Sequence, residues 1–168
     1  MHGPVTDRTV IYRAMKAGEE QQVCSLVVRV FTKFVALLYS PEGVQEFLTY
    51  AADPGRLRDR LRANRFVLVA ELQGRIVGAI EVRNCDHISL FFIDSKSQRK
   101  GIGRELWRRA LDACLANRQD LPKITVHSSP NAVEAYQSLG FQPEGPEQTI
   151  NGIRFVPMAL MVRNGAGG

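Results

Sequence analysis

The chain has 168 residues, 45% of them hydrophobic, with 22 basic and 17 acidic side chains for a formal charge of +5. That length fits a single domain with its own core. No apolar run is long enough for a membrane-spanning helix, and the start has no basic-then-apolar leader pattern. The three cysteines, Cys24, Cys85 and Cys114, are widely spaced, which argues against a disulfide framework or a zinc site and for a reducing, cytoplasmic setting.

Residues 1–8 and 164–168 read as loose tails, leaving one domain over 1–168 with a core of about 10–162. Residues 10–15 predict a first strand. Val23, Leu26, Val27, Val30, Phe31 and Phe34 recur at helical spacing and predict a helix over 19–38. Pro41 and Gly43 read as breaks, followed by helical pieces over 44–52 and 57–63 around Asp53-Pro54-Gly55. Strands at 66–72 and 75–83 flank Gln73-Gly74, a hairpin signal. The nearly all-apolar strand 87–93 predicts a position covered on both faces.

A helix over 103–117 follows, with Leu106, Trp107, Ala110, Leu111 and Cys114 on one face. Residues 124–127 predict the next strand. Pro130 suits the first position of a helix reaching Leu139, with a hydroxyl before it as cap and Gly140 as stop. Strands at 148–150 and 153–162 flank Asn151-Gly152, a strong hairpin signal, and Pro157 predicts a bulge or an edge. This order is an α/β (α+β) fold on a mixed sheet rather than a regular β-α alternation.

The segment Asp94-Ser95-Lys96-Ser97-Gln98-Arg99-Lys100-Gly101-Ile102-Gly103-Arg104 lies between an apolar strand and an amphipathic helix. Gly101 and Gly103 let the backbone curl and come close to a ligand. Amides without intrahelical partners and the helix dipole then favour an anion, phosphate above all. Lys96, Arg99, Lys100, Arg104, Arg108 and Arg109 cluster here, opposed within the stretch by Glu105. The spacing is not that of a P-loop, and Leu106 breaks a GxGxxG pattern.

Gln98-x-x-Gly101-x-Gly103 after an apolar strand resembles the Q/R-x-x-G-x-G/A motif of the GNAT acyltransferases. The run from Ser129 to Phe141, closing on Tyr136-Gln137-Ser138-Leu139-Gly140-Phe141, is similar to the family's second coenzyme A segment. The resemblance spans about 10–162, with 88–141 carrying most of it. Ser95, Ser97 and Arg99 stand where many relatives have Pro, an aromatic residue and Gly.

This resemblance implies a central, mostly antiparallel twisted sheet flanked by helices. It implies acetyl-CoA as acyl donor and acetyl transfer to an amine, with a non-catalytic CoA-binding module or a basic nucleic-acid-binding module as the alternatives. The helix 103–117 carries no helix-turn-helix or RNP motif, which disfavours nucleic acid. The cofactor would meet Phe91, Phe92 and Ile93 on the strand, Gln98, Arg99, Lys100, Gly101, Ile102, Gly103 and Arg104 in the turn, and Asn131 and Tyr136 downstream.

Tyr136 is the expected acid at the leaving thiolate, and His87, which opens the strand, the expected base. Glu71 and Glu81 are alternative bases; His2 and His127 are less attractive ones. A covalent Cys85/His87 route lacks an orienting third group, and no metal is expected. The acceptor, an amine-bearing small molecule or protein, would meet residues 31–63 and 145–158, which include Phe31, Phe34, Tyr39, Tyr50, Arg56, Glu147 and Arg154. Homodimers are common in the family.

Overall fold

The computed structural model describes residues 8–162. The two expected tails fall almost wholly outside that range, and His2 lies outside the described residues. Eight strands form the sheet: β1 (Val10–Ala14), β2 (Arg65–Leu72), β3 (Arg75–Arg83), β4 (His87–Ile93), β5 (Lys123–Ser128), β6 (Gln142–Pro143), β7 (Gln148–Ile150) and β8 (Ile153–Met161). They run in the order β1-β2-β3-β4-β5-β8-β6, with β7 also on β8. Every pairing is antiparallel except β4–β5, which is parallel.

One face carries α1 (Glu20–Phe34), α2 (Pro41–Ala51) and α3 (Pro54–Arg60). There Val23, Leu26, Val27 and Leu57 pack on Val67, Val69, Ala79 and Leu90. The other face carries α4 (Ile102–Asn117) and the short α5 (Val133–Ser138). Leu106, Trp107, Ala110 and Cys114 of α4 meet Ile80, Val82, Ile88, Ile124 and Val126. Each large apolar side chain buried this way contributes about 1.5–3 kcal/mol.

The helical starts differ from the sequence expectation in an instructive way. Pro41 and Pro54 do not break helices; each begins one. Ser40 accepts the Gly43 amide at 3.2 Å and Asp53 accepts the Gly55 amide at 2.8 Å, so both are N-caps with proline just inside. The helix expected over 19–38 is α only to Phe34, then tightens into a 3-10 turn at Ala36–Leu38. Leu37 is 93% exposed there, so the apolar spacing no longer buries anything and the chain turns to enter α2. Ser129 does not cap; its hydroxyl donates to Asn131 Oδ1 at 2.8 Å, and a 3-10 turn at Pro130–Ala132 precedes α5.

Both expected hairpins are present. Gln73 and Gly74, and Asn151 and Gly152, all have positive φ, the type I′ geometry that matches strand twist. Pro157 sits on β8 where its outer neighbour changes from β7, paired up to Phe155, to β6, paired from Met158. A missing amide costs least at such a break in the ladder. The two-residue β6 left no periodic signal to read.

A cleft between two diverging strands

β4 and β5 are paired only at His87↔Thr125 and Ile88↔Val126, and then separate. The separation begins at a bulge: Val82 faces Ile88 and Glu81 faces Leu90, so Ser89 is the extra residue. A cleft opens between the strands. Its walls include Ser89, Leu90, Phe91 and Phe92 of β4 and Val126 and His127 of β5. Tyr136 and Ala132 border it from the α5 side, and Phe31, Val35, Tyr39 and Phe47 from the α1–α2 side.

Beyond Ile93 the chain makes a tightly held turn. Asp94 donates its amide to Val77 at 2.7 Å, and Ser97 donates its amide to Asp94 at 2.9 Å. The Gln98 side chain turns back and donates to the Ile93 carbonyl at 3.0 Å. Arg99 (φ 63°) and Gly101 (φ 82°) are left-handed, and Gly101 is the N-cap of α4. The first intrahelical bond runs from Glu105 to Gly101, so the amides of Ile102, Gly103 and Arg104 have no partner among the described residues. Apart from its chain neighbours, no described residue comes within 4 Å of a Cβ built on Gly101, whereas one on Gly103 would rest 3.6 Å from Ile93 and 3.8 Å from Phe91. Ile102 itself is buried against Ala70 and Val77, so only its backbone faces the turn.

The basic cluster is smaller than its sequence suggests. Glu105 bonds both Arg108 (2.6 Å) and Arg109 (2.9 Å), and Asp112 also holds Arg108. Those two guanidiniums push the Glu105 carboxyl down to about 2. Lys96, Arg99 and Lys100 are exposed and make no ion pair among the described residues, and Arg104 reaches the Ser138 carbonyl at 3.3 Å. The basic side chains left without an ion pair among the described residues thus belong to the segment that leads into the open amides.

Tyr136 is half-buried, edge-on to Phe91 at 6.2 Å and to Phe141 at 5.6 Å. Its hydroxyl has no partner among the described residues, and burial raises its pKa, so it stays a proton donor at neutral pH. Asn131 acts as a strap: it donates to the Phe34 carbonyl at 3.1 Å and joins the α5 side to the end of α1.

His87 does not border the cleft. Its Nδ1 contacts the Thr125 hydroxyl at 2.8 Å, and burial, with Arg83 second, lowers its pKa to about 4. His127 does border it. That ring stacks on Phe155 at 4.2 Å and meets His87 edge-on at 5.0 Å. Neither nitrogen of His127 has a partner among the described residues, and partial desolvation and Arg83 hold its pKa below the ordinary value.

Glu71 is held by Arg13 at 3.0 Å on the β1 side, away from the cleft. Glu81 is 1% exposed and accepts from Tyr50 (2.9 Å), Arg60 (2.9 Å) and Arg65 (3.1 Å). Arg65 also donates to the Ser89 hydroxyl at 3.3 Å, so this network ends at the cleft wall. Cys85 is buried, as are Cys24 and Cys114. Of the residues expected near an acceptor, Phe31 and Tyr39 line the cleft. Phe34 is exposed, Arg56 lies in a separate hollow with Tyr50, and Glu147 pairs with Arg154 at 3.1 Å.

Sequence reasoning did not select Phe47 or Ser89 and ranked His127 low. For Ser89 the missing signal is the bulge, which no residue type announces. For His127 it is the strand divergence, which opens a position that pairing would otherwise cover.

Residues 35–162 match the family model described as acetyltransferase (GNAT) domain. An uncharacterized N-acetyltransferase of Escherichia coli K12, YafP, is 25% identical over 130 residues, covering 77% of this chain and 79% of that protein. A GCN5-related N-acetyltransferase structure from Rhodopseudomonas palustris superposes with a TM-score of 0.78 at 22% identity, covering 96% and 100% of the two chains. The PaiA N-acetyltransferase of Thermoplasma acidophilum, in complex with coenzyme A, does so at 0.72 and 14%, covering 92% and 99%. No helix among the described residues is long and apolar enough to cross a membrane.

Proposed function

The chain belongs to the GNAT acetyltransferase family and is an acyltransferase, and on that premise we propose that it moves the acetyl group of acetyl-CoA directly to a primary amine. The observation that carries this reading is the turn at Gln98–Arg104: three open amides at the start of α4, preceded in the chain by Lys96, Arg99 and Lys100, which make no ion pair among the described residues, next to the diverging end of β4. Such a site suits the pyrophosphate of the donor. β4 has lost its parallel partner beyond Ile88, so its free edge can hydrogen-bond an extended pantetheine arm. Phe91 and Ile93 lie along that edge.

Within this reading Tyr136 donates a proton to the departing thiolate. His127 accepts the proton released by the amine once the carbon–nitrogen bond forms. A neutral imidazole open to the cleft is competent for that step, and its lowered pKa keeps it neutral at pH 7. His87, edge-on behind it and fixed by Thr125, orients the ring. The bond that forms is amide C–N; the bond that breaks is thioester C–S.

A thermal unfolding series with acetyl-CoA tests the reading. Saturation at 100 times Kd adds about 2.7 kcal/mol, a midpoint rise of roughly 5–11 °C for this size. Thiol release with an amine then separates turnover from binding alone. No shift and no binding by calorimetry rejects the acyltransferase assignment of this site. A shift without thiol release from any amine favours a CoA-binding module.

A further inference from the structure

The cleft is lined from both faces of the sheet, so we treat it as having a side towards each, and the chemistries of the two sides differ. Phe91 and Tyr136 share the α4–α5 face with Gly103, which is 3.8 Å from Phe91 through its built Cβ. That face therefore carries the phosphate turn. The opposite mouth, between β4 and α1–α2, is left for the second substrate.

Its wall is built from an aromatic cluster in which Phe31 is buried and Tyr39, Phe47 and Phe92 are half-buried. Phe31 stacks on Phe47 at 4.1 Å and meets Tyr39 at 5.5 Å; Phe47 meets Phe92 at 6.0 Å. Among the described residues no carboxylate borders the cleft. Glu81, the acid on the neighbouring strand, is consumed by Arg60 and Arg65. Arg65, which shares Glu81 with Arg60, also donates to the Ser89 hydroxyl at 3.3 Å. The free polar groups at this mouth are few: the Tyr39 hydroxyl, which has no partner among the described residues, and the His127 imidazole.

We infer that the acceptor is an arylalkylamine: one primary amine on a short alkyl chain bearing an aromatic ring, with no second cationic group. This rests on the acetyl-transfer reading above. A ring entering this mouth gains stacking on the half-buried Phe47 and Phe92, with Phe31 buried behind Phe47, about 0.5–1.5 kcal/mol per pair beyond the area it buries. A second ammonium would be desolvated against aromatic carbon with no counter-charge, which is costly.

The test is thiol release by the intact protein with acetyl-CoA and a panel of 2-phenylethylamine, tryptamine, n-butylamine, spermidine and kanamycin. The expected result is a kcat/KM for the two aromatic amines about tenfold or more above n-butylamine and the polycations. Phe47→Ala should raise KM for 2-phenylethylamine while leaving the acetyl-CoA midpoint shift unchanged. Turnover favouring spermidine or kanamycin overturns the inference while leaving acetyl transfer standing. An acetyl-CoA shift with no release from the aromatic amines overturns it too. Absence of acetyl-CoA binding overturns both.

Discussion

Gly43, in the first turn of α2, and Gly152, at the β7–β8 hairpin, meet backbone to backbone. A Cβ on Gly43 would run into the Gly152 carbonyl, and one on Gly152 into the Ser40 hydroxyl and the Gly43 amide. The Ser40 amide donates to the Gly152 carbonyl at 3.3 Å across the same contact. This contact ties the hairpin to α2, whose Phe47 lines the cleft. Gly43→Ala is expected to destabilise by about 1–3 kcal/mol, because the obstructing atoms are backbone, and to raise acceptor KM more than donor KM. Gly145→Ala, whose Cβ would sit 3.8 Å from Pro157, is the neutral control. Thermal midpoints and steady-state kinetics of the two variants check this; equal midpoints remove the contact from the stability account.

Gly101 separates backbone strain from charge. Its φ of 82° costs any L side chain about 1–2 kcal/mol, while the space around it is open. Gly101→Ala should therefore weaken CoA binding modestly, and Gly101→Glu far more, since a carboxylate would face the phosphates. Calorimetry with CoA at two salt concentrations reads both. Equal losses in the two variants would assign the effect to backbone alone.

Tyr136→Phe keeps the edge-on contacts to Phe91 and Phe141 and removes only the hydroxyl. The expected effect is a fall in kcat of about tenfold or more with CoA affinity nearly unchanged. An unaltered kcat would leave the ring as packing.

Glu81 is predicted to matter through the fold. Removing it in Glu81→Ala strands two guanidiniums that are 12% and 16% exposed, a loss of about 3–5 kcal/mol. Denaturant titration reads this directly. A wild-type midpoint together with a lost acid limb in the pH–rate profile would restore Glu81 as the base.

His87 makes stability depend on pH in a defined direction. Its folded pKa is about 4, against about 6.5 unfolded. Between those values the unfolded chain binds a proton that the folded chain refuses, so stability is full above about pH 6.5 and declines as pH falls towards 4. His87→Asn should flatten that part of the Tm–pH curve. Superimposable curves for variant and wild type would mean His87 titrates alike in both states.

Periodicity and turn chemistry alone determined much of this protein. The 3.6-residue spacing of Val23, Leu26, Val27 and Val30 marked α1, and Gln73-Gly74 and Asn151-Gly152 marked two hairpins. Gln98, Gly101 and Gly103 between an apolar strand and a helix marked the turn into α4, because a left-handed backbone and free helical amides are local properties. Gln98 was legible as a motif residue, yet its work in the structure, holding the Ile93 carbonyl, depends on how the chain folds back. The tertiary structure alone decided which proton-bearing groups reach the cleft. His87 and His127 look alike in sequence, but β4 and β5 stay paired at His87 and part before His127. Glu81 alternates with apolar neighbours as a candidate base would, and only the arrival of Arg60 and Arg65 from distant segments commits it to the core. Local spacing is written in neighbouring residues; burial, ion pairing and strand divergence arise from contacts between segments far apart in the chain.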